Sequence, residues 1–361
     1  MKQYKIVDLF SGVGGLSFGF AELAQFNIIA ANEIEKDISI AYKLNHPNVE
    51  MFNCDIKDLT EEMLRPIIAG RKVDVVVGGP PCQSYSTLGK RRMDDRANLF
   101  MQYKRLLDIL KPEAFVFENV VGILSMDKGR LFKQIQAEFE ELGYTLKHDI
   151  LDAVDFGVPQ HRERVILVGF KGENNFIFPT PTHGEGLKPY VTLRDALGDL
   201  PVLACGEKKT SYAGGYTNEF LEFVRKNAAD TVEEHFAPKN GEHLVRIMQA
   251  LKDGQSKDDL PEELRPKSGY GNTYARLWWD RPSTTVTRNF ACPSSSRCIH
   301  PRDSRAMSIR EGARLQSFPD SYKFYGSDGM KRLEIGNAVP PLLSVALAEQ
   351  MLKALNEKAP I

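Results

Sequence analysis

The chain has 361 residues, 42% of them hydrophobic and 26% charged, with a formal net charge of −1. That length suits one large domain or two ordinary ones around a sizeable core. The near-neutral balance excludes nucleic-acid binding through bulk charge, so any basic surface has to be local. Cys54, Cys82, Cys205, Cys292 and Cys298 form no C-x-x-C pair, and an odd count argues for a reducing compartment rather than a disulfide framework. No signal-peptide pattern or bilayer-length apolar run stands out, so a cytoplasmic location and no membrane partner are expected. His235 and His243 lack a spaced set of partner ligands, and no metal site is expected.

Residues 5–10 read as a strand entering Ser11-Gly12-Val13-Gly14-Gly15 and then an apolar-periodic helix over 16–23. The glycines make either a tight βα turn or a loop where a cofactor meets the backbone. The third glycine of a dinucleotide fingerprint would fall at Ser17, which weighs against NAD. A second strand, 27–32, ends in Glu33, about twenty residues after the glycine turn, where such folds place a carboxylate for ribose hydroxyls. A third strand, 52–56, adds Asp55. Two strand-end acids beside a glycine turn describe an adenosine-binding edge, and without the full fingerprint they point to S-adenosylmethionine.

The apolar run 73–77 reads as a buried strand leading into Gly78-Gly79-Pro80-Pro81-Cys82-Gln83-Ser84-Tyr85-Ser86. Glycines turn the chain and prolines stiffen it, holding a thiol at the carboxyl edge of a sheet, where open α/β folds bind ligands. The alternative for Cys82 is a small buried packing residue. Lys90-Arg91-Arg92-Met93-Asp94-Asp95-Arg96 follows, either a solvated loop or a mobile one that contacts phosphate.

A helix over Leu99–Leu110 leads to a strand, 114–117, that ends in Glu118-Asn119-Val120. An acid directly after an apolar strand needs a partner if buried; otherwise it caps a helix or faces solvent. One βα unit separates it from Cys82, so the two should occupy neighbouring strand tips. A helix near 130–142 and a strand near 146–151 precede Gln160-His161-Arg162-Glu163-Arg164 and a strand over 165–170. Alternation puts Arg162 and Arg164 on one face, for a phosphate or base oxygen or for an ion-pair network. From 171 to about 280 the strand–helix alternation fades, marking a second, smaller domain. Leu343, Leu347, Met351 and Leu355 form a stripe that should dock the last helix on the first domain.

Taken together, these stretches resemble the DNA cytosine-5 methyltransferase family, in particular the bacterial modification enzymes. The resemblance runs in order through residues 8–15, Gly79-Pro80-Pro81-Cys82-Gln83, Glu118-Asn119-Val120, Gln160-His161-Arg162-Glu163-Arg164, Arg281-Pro282 with Thr285-Val286, and Gly336-Asn337-Ala338-Val339-Pro340-Pro341. It implies the class I S-adenosylmethionine-dependent methyltransferase fold: a Rossmann-like α/β sheet with helices on both faces, plus a smaller irregular target-recognition domain. The expected division is 1–175 with 330–361 as the catalytic domain, 176–308 as the recognition domain and 309–329 as a hinge.

The resemblance implies a nucleophile, Cys82, an acid that holds cytosine, Glu118, and the paired arginines Arg162 and Arg164. It implies cofactor contacts at Asp8, Phe10, Ser11, Gly12, Gly14, Glu33, Ile34, Asp55, Ile56, Pro80, Leu99, Asn337 and Val339. DNA contacts are expected at Ser84, Ser86, Arg91, Arg92 and Arg96. The expected reaction is flipping of cytosine from duplex DNA and methylation at C5, with S-adenosyl-L-homocysteine as product. A monomer is expected, accompanied without contact by a cognate restriction endonuclease. A tRNA cytosine-5 methyltransferase and a non-catalytic DNA-binding regulator are the competing readings. Gln83-Ser84-Tyr85-Ser86 departs from the tRNA branch, and retention of Cys82, Glu118 and Arg164 argues against a regulator. A zinc deaminase fails because its second cysteine would fall at Tyr85.

Overall fold

A computed structural model describes residues 3–68, 72–81, 99–215, 217–267 and 271–358. Cys82, Ser84, Ser86, Arg91, Arg92 and Arg96 lie outside the described residues. The chain divides into two compact units, the first made of Met1–Asp152, Glu163–Thr180 and Leu343–Ile361, the second of Ala153–Arg162 and Pro181–Leu342. Residues 153–162 and 330–342 thus group with the second unit, whereas the sequence suggested the first. The reason is local bonding: Gln160 donates to the Leu315 carbonyl at 2.7 Å, and Arg162 to the Gly336 carbonyl at 2.9 Å.

The first unit contains β1 (Tyr4–Leu9), α1 (Gly15–Ala21), β2 (Phe26–Asn32), α2 (Lys36–Asn45), β3 (Glu50–Phe52), α3 (Glu61–Ile68), β4 (Val75–Gly78), α4 (Leu99–Leu110), β5 (Ala114–Val120), α5 (Arg130–Glu141), β6 (Tyr144–Asp152) and β7 (Glu163–Lys171). Its seven strands run in the order β3-β2-β1-β4-β5-β7-β6. The first five pair in parallel, and β7 is antiparallel to both neighbours. Strand order reverses between β1 and β4, so their carboxyl ends flank the switch point at which doubly wound sheets bind ligands. Val75, Val76 and Val77 are fully buried, as expected for a central parallel strand covered on both faces.

β5 is longer than the sequence suggested. Its parallel ladder with β4 stops at Gly78–Phe117, but antiparallel pairing with β7 carries it on through Glu118–Ile166 to Val120–Arg164. β3, by contrast, is shorter. The Asn32 side-chain amide donates to the Phe52 and Cys54 carbonyls, both at 3.0 Å, and Asp55 caps a following 3₁₀ turn by accepting from the Lys57 amide at 3.0 Å.

The second unit contains α6 (Leu193–Leu197), α7 (Glu219–Arg225), α8 (Glu242–Ala250), β8 (Ala275–Arg276), β9 (Arg297–Ile299), α9 (Ile309–Leu315) and α10 (Asp328–Asn337). Buried ion pairs brace these short elements. Arg305 lies 2.7 Å from both Asp303 and Glu311, while Arg314 bridges Asp199 and Asp320. Removing one partner of such a pair would strand a buried charge at a cost of ~3–5 kcal/mol.

The final helix, α11 (Pro341–Lys358), returns to the first unit from Leu343 onward. Its stripe Leu343, Leu347, Met351 and Leu355 is buried as the spacing predicts. A Cβ on Gly19 would come within 2.2 Å of the Ser344 backbone, so α1 and α11 meet there without an intervening side chain. The stretch 328–358 has a mean hydropathy of 1.2 in its most apolar window, but Ala338 leaves helical geometry and α11's apolar face packs in the core.

Candidate active site

The edge at β1 and β2 is built from unusual backbone. Phe10, Gly12 and Gly14 all have positive φ, at 54°, 54° and 96°. For a phenylalanine that conformation is strained, at a cost of order 1–3 kcal/mol. It is held because the Ser11 amide donates to Asn32 at 2.9 Å and the Gly14 amide to Ser11 at 3.0 Å. Glu33 completes the clasp: its two carboxylate oxygens accept from the Gly12 amide at 3.0 Å and the Glu35 amide at 2.9 Å. Burial pushes the Glu33 pKa upward, against the pull of these amides.

A Cβ on Gly12 would meet nothing within 4 Å, so open space lies against the loop. Ile34 is 58% exposed, an apolar side chain offered to that edge. Asn53 fixes its backbone by donating to the Glu33 and Ile34 carbonyls at 2.8 and 3.0 Å. Asp55 stands at the next strand end, while Ile56 is a core residue beneath it. Acceptor carboxylates, an apolar side chain and exposed loop backbone are the chemistry a nucleoside requires, and these residues fit one. Sequence reasoning missed Asn53, although an amide beside two strand-end acids was a usable signal.

Asp8 lies beneath the glycine loop, 1% exposed. Among the described residues, no hydrogen bond of good geometry reaches either carboxyl oxygen. Burial lifts its pKa to about 7; the Ser17 and Tyr42 hydroxyls oppose this and the Glu33 charge adds to it. A carboxyl raised in the fold keeps its proton where the unfolded chain has lost it. Stability from this group is therefore intact below pH 4 and falls as pH climbs to about 7, by up to about 4 kcal/mol. Asp8→Asn should flatten that decline. Melting temperatures of cofactor-free wild type and variant across pH 4–8 check it, and parallel profiles would refute it.

At the tips of β4 and β5 the first unit gathers a second group. Glu118 lies so close to the loop that a Cβ on Gly79 would stand 2.5 Å from its Oε2, and a larger residue there would push the carboxylate aside. The next residue, Asn119, donates from Nδ2 to the Pro80 carbonyl at 3.0 Å. Arg164, which pairs with Val120 in the β5–β7 register and so lies diagonal to Glu118, forms an ion pair from Nε to Glu118 Oε1 at 2.8 Å, with both side chains 13% exposed. A carboxylate and a guanidinium so joined can hold the donor–acceptor edge of a planar heterocycle. Cys82, two residues past Pro80, lies outside the described residues.

Arg162 does not share Arg164's face. The alternation expected from the sequence starts only with β7 at Glu163. Arg162 is 1% exposed and donates to the Val286 and Gly336 carbonyls at 3.0 and 2.9 Å. It anchors the second unit, as does Gln160, whose side-chain oxygen accepts from the Val286 amide at 2.8 Å. Leu99, half-buried, opens α4 in the first unit, while Asn337, exposed, and Val339, buried, lie around the end of α10 in the second.

Residues 4–353 match the family model for C-5 cytosine-specific DNA methylases. The chain is 37% identical to the Type II methyltransferase M1.HphI of Haemophilus parahaemolyticus, over 96% of this chain and 86% of that protein. It is 39% identical to M.DdeI of Desulfomicrobium norvegicum, over 96% and 88% respectively. Among solved structures, a DNA modification methyltransferase encoded within an E. coli prophage superposes with a TM-score of 0.80 at 24% identity, covering 98% of this chain and all of that one. The S. pombe Dnmt2 methyltransferase superposes at 0.62 and 19% identity, with 98% and 100% covered. At those identities the two structures attest the fold alone.

Proposed function

Because this chain belongs to the C-5 cytosine-specific DNA methylase family and is a DNA (cytosine-5-)-methyltransferase, we propose that it methylates cytosine within a specific duplex sequence through Cys82, Glu118 and Arg164. The observation that carries this reading is the Glu118–Arg164 pair set against Gly79-Pro80, two residues before the only cysteine in a Pro-Pro-Cys loop.

Cytosine C5 is a weak nucleophile until a thiolate adds at C6, which is Cys82's part. Glu118 holds N3 and the exocyclic amine and keeps a proton at N3 as the ring gains electron density. Arg164 donates to the base O2 while its bond to Glu118 keeps the carboxyl oriented. Loss of the C5 proton then expels the Cys82 sulfur and restores the aromatic ring. None of these contacts can be made inside a duplex, so the base has to leave the stack.

Glu33, Asp55, Ile34 and the 10–14 loop would hold S-adenosyl-L-methionine, with Asp8, Ile56, Pro80, Leu99, Asn337 and Val339 as further cofactor residues. When bound, that group supplies the electrophilic methyl for C5 and departs as S-adenosyl-L-homocysteine. Ser84, Ser86, Arg91, Arg92 and Arg96 are assigned to DNA, and the region 176–308 to choosing the site. A modification enzyme protecting its host against a matching endonuclease is the role this suits, and the chain is taken to act as a monomer in the cytoplasm.

Bisulfite sequencing of plasmid DNA from an expressing host tests the reading. Protected cytosines confined to one recurrent sequence support it. Unmodified plasmid, with methyl transfer to tRNA instead, would overturn it.

A further inference from the structure

Arg105 sits on α4 three residues from Gln102 and six from Leu99, so the three share one side of the helix. Its guanidinium is spent on backbone carbonyls across the unit. One terminal nitrogen donates to the Ile56 carbonyl at 2.7 Å, the other to the Leu59 carbonyl at 2.9 Å, and Nε donates to Gln102 at 2.8 Å. Those carbonyls belong to the 3₁₀ turn that Asp55 opens and Leu59 closes. A three-residue turn ends with acceptors that no further helix satisfies. Asp55 fixes the front of this turn through the Lys57 amide, and Arg105 fixes the back.

The residue is half-buried, and burial lowers its pKa. A planar guanidinium gives three directional bonds at once, which a lysine cannot reproduce. The core around the turn is apolar: Ile56 and Leu59 lie in one cluster with Leu106 and Leu107. No other described side chain donates to these two carbonyls, so this fork is the polar side-chain tie between α4 and the turn.

We infer that Arg105 is a positioning residue for the nucleoside part of the cofactor, acting through the 55–59 turn without touching the ligand itself. The inference rests on the cofactor reading above, which assigns Asp55 and Ile56 to the cofactor. The Ile56 carbonyl also accepts from the Leu59 amide at 3.3 Å, so the Arg105 bonds add charge-assisted donors from α4 to a turn otherwise closed only by its own backbone. Removing them should slacken Asp55 and Ile56 and weaken cofactor affinity while leaving the cytosine chemistry intact.

The test is calorimetric binding of S-adenosyl-L-homocysteine to full-length wild type, R105Q, R105K and I135V, together with steady-state kinetics. Expected for R105Q is a Kd and a cofactor KM about tenfold higher, kcat at saturating cofactor within twofold, and unchanged affinity for duplex DNA. R105K, able to reach one carbonyl, should fall between, and it carries the comparison if R105Q fails to fold. I135V, a core truncation on α5, should lower the melting temperature without moving Kd. Wild-type Kd in both Arg105 variants, or a fall in kcat at constant cofactor KM, overturns the inference. Failure of the wild type to bind S-adenosyl-L-homocysteine would instead overturn the cofactor reading.

Discussion

Cys82→Ala is expected to lower methyl transfer to duplex DNA by at least ~10³-fold, the scale on which loss of a covalent nucleophile is felt in other enzymes. The physical reason is the poverty of C5 as a nucleophile. Without sulfur at C6 the ring has no enamine character, and neither Glu118 nor Arg164 can supply it, because both only bias charge already present. DNA affinity should remain within a few-fold of wild type, since phosphate contacts and recognition do not depend on the thiol. Single-turnover assays with labelled cofactor measure the rate, and mobility shifts on cognate duplex measure the binding. A 5-fluorocytosine substrate adds a discriminating readout: wild type should trap a covalent adduct because fluorine cannot leave C5 as a proton does, and the alanine variant should trap none. Methylation by Cys82→Ala at a rate near wild type would remove Cys82 from the reaction.

The sheet and the strand-end acids beside the glycine turn were legible because both are written locally. β-branched residues fill Val75–Val77 and helical spacing spans Leu99–Leu110, and each became the expected element. Glu33 was found from its distance to the glycine turn, and the structure joins it to that turn through the Gly12 amide. Long-range facts were invisible. Arg162 reads as a partner of Arg164 until its carbonyl acceptors, 124 and 174 residues away, are seen. β5's extra length comes from an antiparallel neighbour that no stretch of β5 announces. The second unit is held by Arg305 and Arg314 inside carboxylate cages, a form of cohesion with no periodicity for a sequence reading to detect. Gly79 reads as a turn residue in the sequence; the structure adds that a Cβ there would crowd the Glu118 carboxylate.

That contact leads to the second large effect, at Glu118. Glu118→Gln keeps the shape of the side chain and removes the anion, so it separates charge from packing. The single-turnover rate should fall ~10²–10⁴-fold, the usual contribution of a positioned proton-holding group, because an amide cannot share a proton with N3 as the ring gains electron density. Arg164 is then left without its counter-charge at 13% exposure, so a lower melting temperature should accompany the rate loss. Arg164→Ala should also slow the reaction, through the lost O2 contact and through a Glu118 side chain no longer held at 2.8 Å. Since each residue orients the other, the two losses should not add: the double variant should be faster than the product of the single effects predicts. Rates on a duplex bearing one target cytosine, measured for the four members of this cycle, decide the matter. Independent, multiplicative losses would show that the ion pair is scaffold rather than one catalytic unit, and an unimpaired Glu118→Gln would exclude the carboxylate from the chemistry.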